Sequence, residues 1–104
     1  MESLEPWLPA GAQAAQLERE LRAELGPRHT LKGRDMRAVA MRQDCDDVLF
    51  VSADAPTTIA VVHLTYSNRP EQDPLNPETT LFDSMDDWSE RGMKADHDDF
   101  FAGA

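Results

Sequence analysis

Thr57-Thr58-Ile59-Ala60-Val61-Val62-His63-Leu64-Thr65-Tyr66 is the densest run of β-branched and aromatic residues in the chain, the side chains that best fit a pleated surface. Successive side chains of a strand point to opposite faces. Ala60, Val62, Leu64 and Tyr66 therefore share one face, and Ile59, Val61, His63 and Thr65 the other. Both faces are apolar for most of their length, whereas an antiparallel strand with one wet face alternates apolar and polar residues. The run predicts a strand covered on both sides. Residues 48–53 repeat the pattern, with Leu49 and Val51 set against Val48 and Phe50.

Working outward, Asp44-Cys45-Asp46-Asp47 and Asp54-Ala55-Pro56 read as tight turns, because Asp bonds its own backbone and Pro fixes φ. A third extended segment precedes them over residues 30–43, where Val39 and Met41 are expected on one face and Ala38 and Ala40 on the other. Connections this short make neighbouring strands antiparallel, which gives a meander. Upstream, Ala14, Leu17, Leu21 and Leu25 recur at helical spacing over residues 11–25, Glu18 and Arg22 are placed to pair at i,i+4, and Gly26-Pro27 stops the helix. Pro6 and Pro9 make residues 1–10 an irregular arm whose Trp7 is expected to fold back onto the body. Downstream, residues 67–80 form a long connection with Pro70, Pro74 and Pro77, for which Leu75 is the natural anchor. A second helix starts near Asp83 or Ser84 and runs to Phe100 or Phe101. The expected fold is α+β, a three-stranded antiparallel β-meander flanked by an N-terminal and a C-terminal helix (α-β-β-β-α), in one domain over residues 1–104.

Composition narrows the function classes. Apolar residues make up 40% of the 104, enough for a core, and no apolar run approaches the roughly 20 residues that span a bilayer. The start, Met1-Glu2-Ser3-Leu4-Glu5, lacks the basic opening of a signal peptide, so a cytoplasmic protein is expected. Cys45 is the single cysteine, which leaves no partner for an intrachain disulfide. Net charge is −10, a sign that phosphate backbones and anionic lipids repel. Neither nucleic acid nor membrane is therefore an expected partner, whereas a basic protein is. Residues 1–66 hold ten acids and seven bases and residues 67–104 ten acids and three bases, which assigns charge-driven binding to the C-terminal third.

Two features bear on function. If both helices cover one face of the sheet, the other needs a second subunit, and apolar patches of that size mark interfaces. The sequence thus expects a homodimer, with Trp7, Ile59, Val61, His63 and Thr65 as interface residues. The other arrangement is one helix on each face. The second feature is Asp96, which falls with Met85, Trp88, Gly92 and Phe100 on one stripe at about 100° per residue. Gly92 weakens that helix by about 1 kcal/mol relative to Ala, so either the helix breaks and leaves Asp96 wet, or Asp96 is a half-buried partner for His63 or an arginine.

Chemistry-bearing motifs are sparse. His63, Asp96 and His97 are the candidates for acid–base or metal chemistry, and Asp44, Asp46 and Asp47 surround Cys45 in a turn without the Gly and terminal Glu of a calcium loop. Carboxylates beside Cys45 suppress its thiolate, which argues against a Cys nucleophile. The chain has five glycines and no phosphate-binding or nucleophile-elbow pattern, and no cofactor is expected. The leading expectation is a non-enzymatic binding module, immunity- or inhibitor-like toward a basic protein. The alternatives are a small metal-dependent or acid–base enzyme centred on His63, Asp96 and His97, and a structural homodimer subunit.

Overall fold

The computed structural model describes residues 5–53, 58–67, 69–70 and 76–102, with backbone only for 100–102. Five strands form one antiparallel sheet in chain order: β1 (Trp7–Pro9), β2 (Met36–Arg42), β3 (Asp47–Ser52), β4 (Ile59–His63) and β5 (Glu78–Phe82). A 3-10 turn, Gly11–Gln13, leads into helix α1 (Ala14–Glu24) between β1 and β2. After β5 come α2 (Met85–Trp88), a π turn (Ser89–Met93) and α3 (Lys94–Ala102). The chain is thus α+β with an antiparallel sheet, but the sheet has five strands, not the three expected.

Both additional strands lie at the sheet edges, and prolines disguise them. Pro6 precedes β1 and Pro9 is its last residue, and proline is tolerated where the missing N–H would face away from the ladder. Trp7, Leu8 and Pro9 pair with Arg42, Met41 and Ala40, and backbone bonds from Gln43 to Pro6 (2.8 Å) and from Ala10 to Val39 (3.0 Å) fix both ends. β5 follows Pro77 directly and pairs Phe82 with Ile59 and Glu78 with His63. It occupies the end of the segment read from sequence as loop. The expected turn at Asp54-Ala55-Pro56 and the anchoring role of Leu75 lie outside the described residues.

The two faces are covered by different helices. Leu17 and Leu21 of α1, with Leu25, pack on Val48, Phe50, Ala60, Val62 and Leu64. Trp88 and Met93 pack with Trp7 on Ala40, Leu49 and Ile59. One helix per face is the arrangement found, so the face carrying Ile59 and Val61 is occupied within the chain. Trp7 and Ile59, expected at a subunit interface, are 0% and 2% exposed. Val61 is partly buried in the same cluster, while His63 and Thr65 are exposed.

β2 carries a correction of its own. A bulge between Ala38 and Ala40 shifts the register, and a bulge moves every later side chain to the opposite face. Ala38 and Met41 consequently join the α1 side, while Val39 and Ala40 join the other. Beside the bulge, Glu18 accepts the Ala38 N–H at 2.9 Å; its expected partner was Arg22. The second helix begins as expected: Ser84 caps it, accepting the Asp87 N–H at 3.0 Å, and Asp87 reaches back to the Asp83 N–H at 2.9 Å. The π turn falls on Gly92. A Cβ there would meet Trp88 Cδ1 at 2.7 Å, so only glycine lets the helix lie flat on the indole.

Candidate functional site

The β2–β3 turn gathers the polar chemistry of the molecule. Arg42, the last residue of β2, donates from Nε and Nη2 to Asp44 Oδ1 (2.8 Å) and Oδ2 (2.7 Å), the bidentate geometry that carboxylates and guanidinium favour. Its Nη1 lies 3.8 Å from Asp47 Oδ2 and 3.5 Å from Asp96 Oδ1. This guanidinium holds Asp44 below the usual carboxylate range, and Asp44 in turn raises Arg42. Asp47 and His63 are cross-strand partners, and Asp47 Oδ1 sits 2.7 Å from His63 Nδ1.

Asp96 faces the network from α3. Its Oδ2 accepts the Trp7 Nε1–H at 3.0 Å, so the carboxylate is the half-buried partner of an arginine and an indole, on an unbroken if π-bulged helix. His97 Nδ1 donates to the Glu5 carbonyl at 2.6 Å. Trp7 therefore serves two purposes. Its ring meets Trp88 edge-on at 5.3 Å and 86°, and its N–H fixes Asp96. The three candidate residues end on separate partners: His63 on Asp47, Asp96 on Trp7 and Arg42, His97 on Glu5. Among the described residues no group of three or more His, Cys, Asp or Glu side chains is arranged to hold a metal ion.

On the α1 side of the same turn lies a groove of about 500 Å³, within the roughly 300–1,000 Å³ typical of binding sites. Leu8, Leu17, Met41, Val48 and Tyr66 give it apolar walls, and Asp44, Asp46 and Asp47 give it an acidic rim. Leu8 and Tyr66 are 38% and 49% exposed, large apolar side chains left open to water. Cys45 lines the groove half-buried; burial pushes its thiol up, and the charges of Asp47 and Asp44 add to this. The carboxylates around Arg42 come from the β2–β3 turn and from Asp96 of α3.

Two buried ionisable groups escaped notice in the sequence. Glu24 is 0% exposed, and its Oε1 and Oε2 accept the backbone N–H groups of Thr65 and Tyr66, each at 2.8 Å. Burial, then its neighbour Glu20, pushes Glu24 up to about 7, against the pull of the two N–H groups. The visible signal was Glu24 three residues beyond Leu21, on the apolar stripe of α1. His29 accepts the Leu31 N–H at Nδ1 (3.0 Å) and donates from Nε2 to the Pro77 carbonyl (3.0 Å), tying the segment after α1 to the start of β5. A second depression of about 380 Å³ is lined by Arg22, Lys32, Arg34 and Asp35. Lys32 there bonds the Leu25 carbonyl at 3.4 Å, the place of a cation at a helix C-terminus.

No protein-family model matches the chain, and neither a curated protein nor a solved structure is significantly similar to it. Among the described residues no helix is long and apolar enough to cross a membrane.

Proposed function

We propose that the chain is a protein-binding module that takes a basic segment of a partner protein into the groove at the β2–β3 turn, as an inhibitor or immunity protein covering a cationic site does. One observation carries the reading: Leu8 and Tyr66 stand exposed on a groove rimmed by Asp44, Asp46 and Asp47, whose own cation, Arg42, is engaged with Asp44. Such a site suits an arginine or lysine of the partner. The aliphatic stem lies along Leu8, Met41 and Tyr66, and the charged head meets the carboxylates. An arginine over the Tyr66 ring adds a cation–π contact of about 0.5–2 kcal/mol. The net charge of −10 steers a basic partner toward the surface and raises the association rate.

The test compares wild type with Tyr66→Ala and Asp46→Lys, each immobilised and presented with native lysate at low and high salt. The reading expects a basic protein retained by wild type at low salt and lost from both variants. Retention of the same proteins by all three, or of none at either salt, contradicts it.

A further inference from the structure

Acids outnumber bases 20 to 10 in the chain, so a cation on this surface readily finds a carboxylate. Arg37, Arg42, Arg91 and Lys94 do so, with Asp35, Asp44, Asp87 and Glu90 in turn. The depression lined by the end of α1 and by the connection to β2 departs from that pattern. Arg22, Lys32 and Arg34 line it, and the carboxylate there, Asp35, is engaged by Arg37 Nη2 at 3.0 Å. Arg22 was expected to pair with Glu18, but Glu18 accepts the Ala38 N–H at the β2 bulge instead. Among the described residues no carboxylate pairs with Arg22, or with Lys32, whose Nζ bonds the Leu25 carbonyl at 3.4 Å.

The connection that carries Lys32 and Arg34 is held in place. Backbone bonds run from His29 to Gly26 (3.2 Å), from Lys32 to His29 (3.0 Å) and from Arg34 to Leu31 (3.0 Å), and the buried His29 ring ties the segment to Leu31 and Pro77. Arg34 is half-buried, and its Nη2 donates to Ser52 Oγ at 3.4 Å, which orients the guanidinium. Gly33, between the two cations, has φ of 83° and open space where a Cβ would stand, so a ligand can approach the backbone there. The depression has a volume of about 380 Å³, more than a lone oxyanion fills and within the range of small-ligand sites.

We propose that this depression binds a phosphate dianion, free or carried by a small ester, through Arg22, Lys32 and Arg34. A phosphate monoester carries about −1.5 to −2 charges at pH 7, and guanidinium groups match its oxygens bidentately; a carboxylate offers a single charge to three cations. Screening sets the size of the ligand. Each charge acts over about 8 Å at physiological salt, so a single phosphoryl group feels the local cations. A nucleic acid or a long polyphosphate also meets the remainder of a surface with net charge −10. The α1 C-terminus opposes the anion, since its carbonyls carry partial negative charge, and Lys32 on the Leu25 carbonyl offsets it. The site shares no described lining residue with the groove at the β2–β3 turn, so it stands independently of that reading.

The experiment titrates inorganic phosphate, glycerol phosphate and acetate into ¹⁵N-labelled protein at fixed pH and constant ionic strength, with chloride as the reference salt. Both phosphates should shift the amides of Lys32, Gly33 and Arg34 saturably, half-complete at about 5 mM or below. Acetate at the same ionic strength should leave them near their chloride positions. A lower midpoint for the ester assigns the site to small organophosphates, and a lower one for the inorganic ion assigns it to free phosphate. Arg22→Gln, at an exposed position, should raise the midpoint about tenfold, the loss of one charge-assisted hydrogen bond. Lys94→Gln removes the same charge from an exposed position on α3 and should move the midpoint less than about twofold. Amides that stay in place or shift without saturating, acetate matching phosphate, or Lys94→Gln weakening binding as much as Arg22→Gln each overturns the site.

Discussion

Gly92→Ala is the substitution on which local propensity and packing disagree most sharply. In an exposed helix the change stabilises by about 1 kcal/mol, because alanine loses less backbone freedom on folding. Here the added Cβ lands 2.7 Å from Trp88 Cδ1, 3.0 Å from Trp88 Nε1 and 3.2 Å from Phe82 Cζ. Those neighbours have little room to yield: Trp88 is fully buried, and its ring abuts Trp7 at 5.3 Å. Forcing a methyl into a packed core costs about 1–3 kcal/mol, and a separation this short points to the upper part of that range. The net expectation is a loss of about 1–2 kcal/mol, which for a domain of this size lowers Tm by roughly 5–10 °C. Differential scanning calorimetry or thermal circular dichroism reads it directly. A Tm that is unchanged or raised refutes the placement of the π turn over Trp88, since an open site would show the helix-propensity gain alone.

Other perturbations test the polar clusters. Arg42→Met leaves Asp44, Asp47 and Asp96 without their shared cation and should lower stability by about 1–3 kcal/mol in urea unfolding; part of the loss should return in the Arg42→Met/Asp96→Asn double variant, and full additivity contradicts the pairing. Glu24, raised from 4.5 to about 7, makes the folded state hold one proton more than the unfolded chain between those values. Stability should therefore fall as pH rises through that window, by about 3 kcal/mol in all, and the fall should be absent from Glu24→Gln; identical pH slopes for the two proteins contradict it. His29→Ala strips the Leu31 N–H of its partner and leaves the Pro77 carbonyl only the Thr79 hydroxyl, and should cost about 1–3 kcal/mol, whereas a loss within experimental scatter shows that water replaces the ring. Cys45, whose thiol is pushed up by burial, should react with iodoacetamide at neutral pH more slowly than free cysteine, and a rate above that of free cysteine contradicts the assignment.

The central strands were legible because their signal is local. Ile59, Val61 and Val62 declare a two-sided strand by composition alone, and the face assignment of β3 and β4 matches the two clusters found. The edge strands were hidden because edges relax the rules that reveal strands. Pro6 and Pro9 signal irregular chain in a central position and are harmless at a margin. The bulge at Val39 defeats strict alternation, since a single extra residue reverses every later side chain, and nothing in Arg37-Ala38-Val39-Ala40-Met41 marks it. Asp96, expected either wet beyond a helix break or half-buried beside a cation, is half-buried. Its partners were not readable, because Trp7 lies 89 positions away in sequence. Arg42 was overlooked for the opposite reason: alone it is an ordinary strand-end cation, and its importance arises only when the turn and α3 bring three carboxylates to it.

Each sheet face packs against one of the chain's own helical segments, and the proposed binding surface is the acid-rimmed groove at the β2–β3 turn. Chemical-shift mapping with a short arginine-rich peptide tests this most directly. The expected perturbations cluster on Leu8, on residues 41–48 and on Tyr66, saturate with added peptide and disappear at high salt. Perturbations absent throughout, or confined to the exposed Asp98 and Asp99 of α3, contradict it.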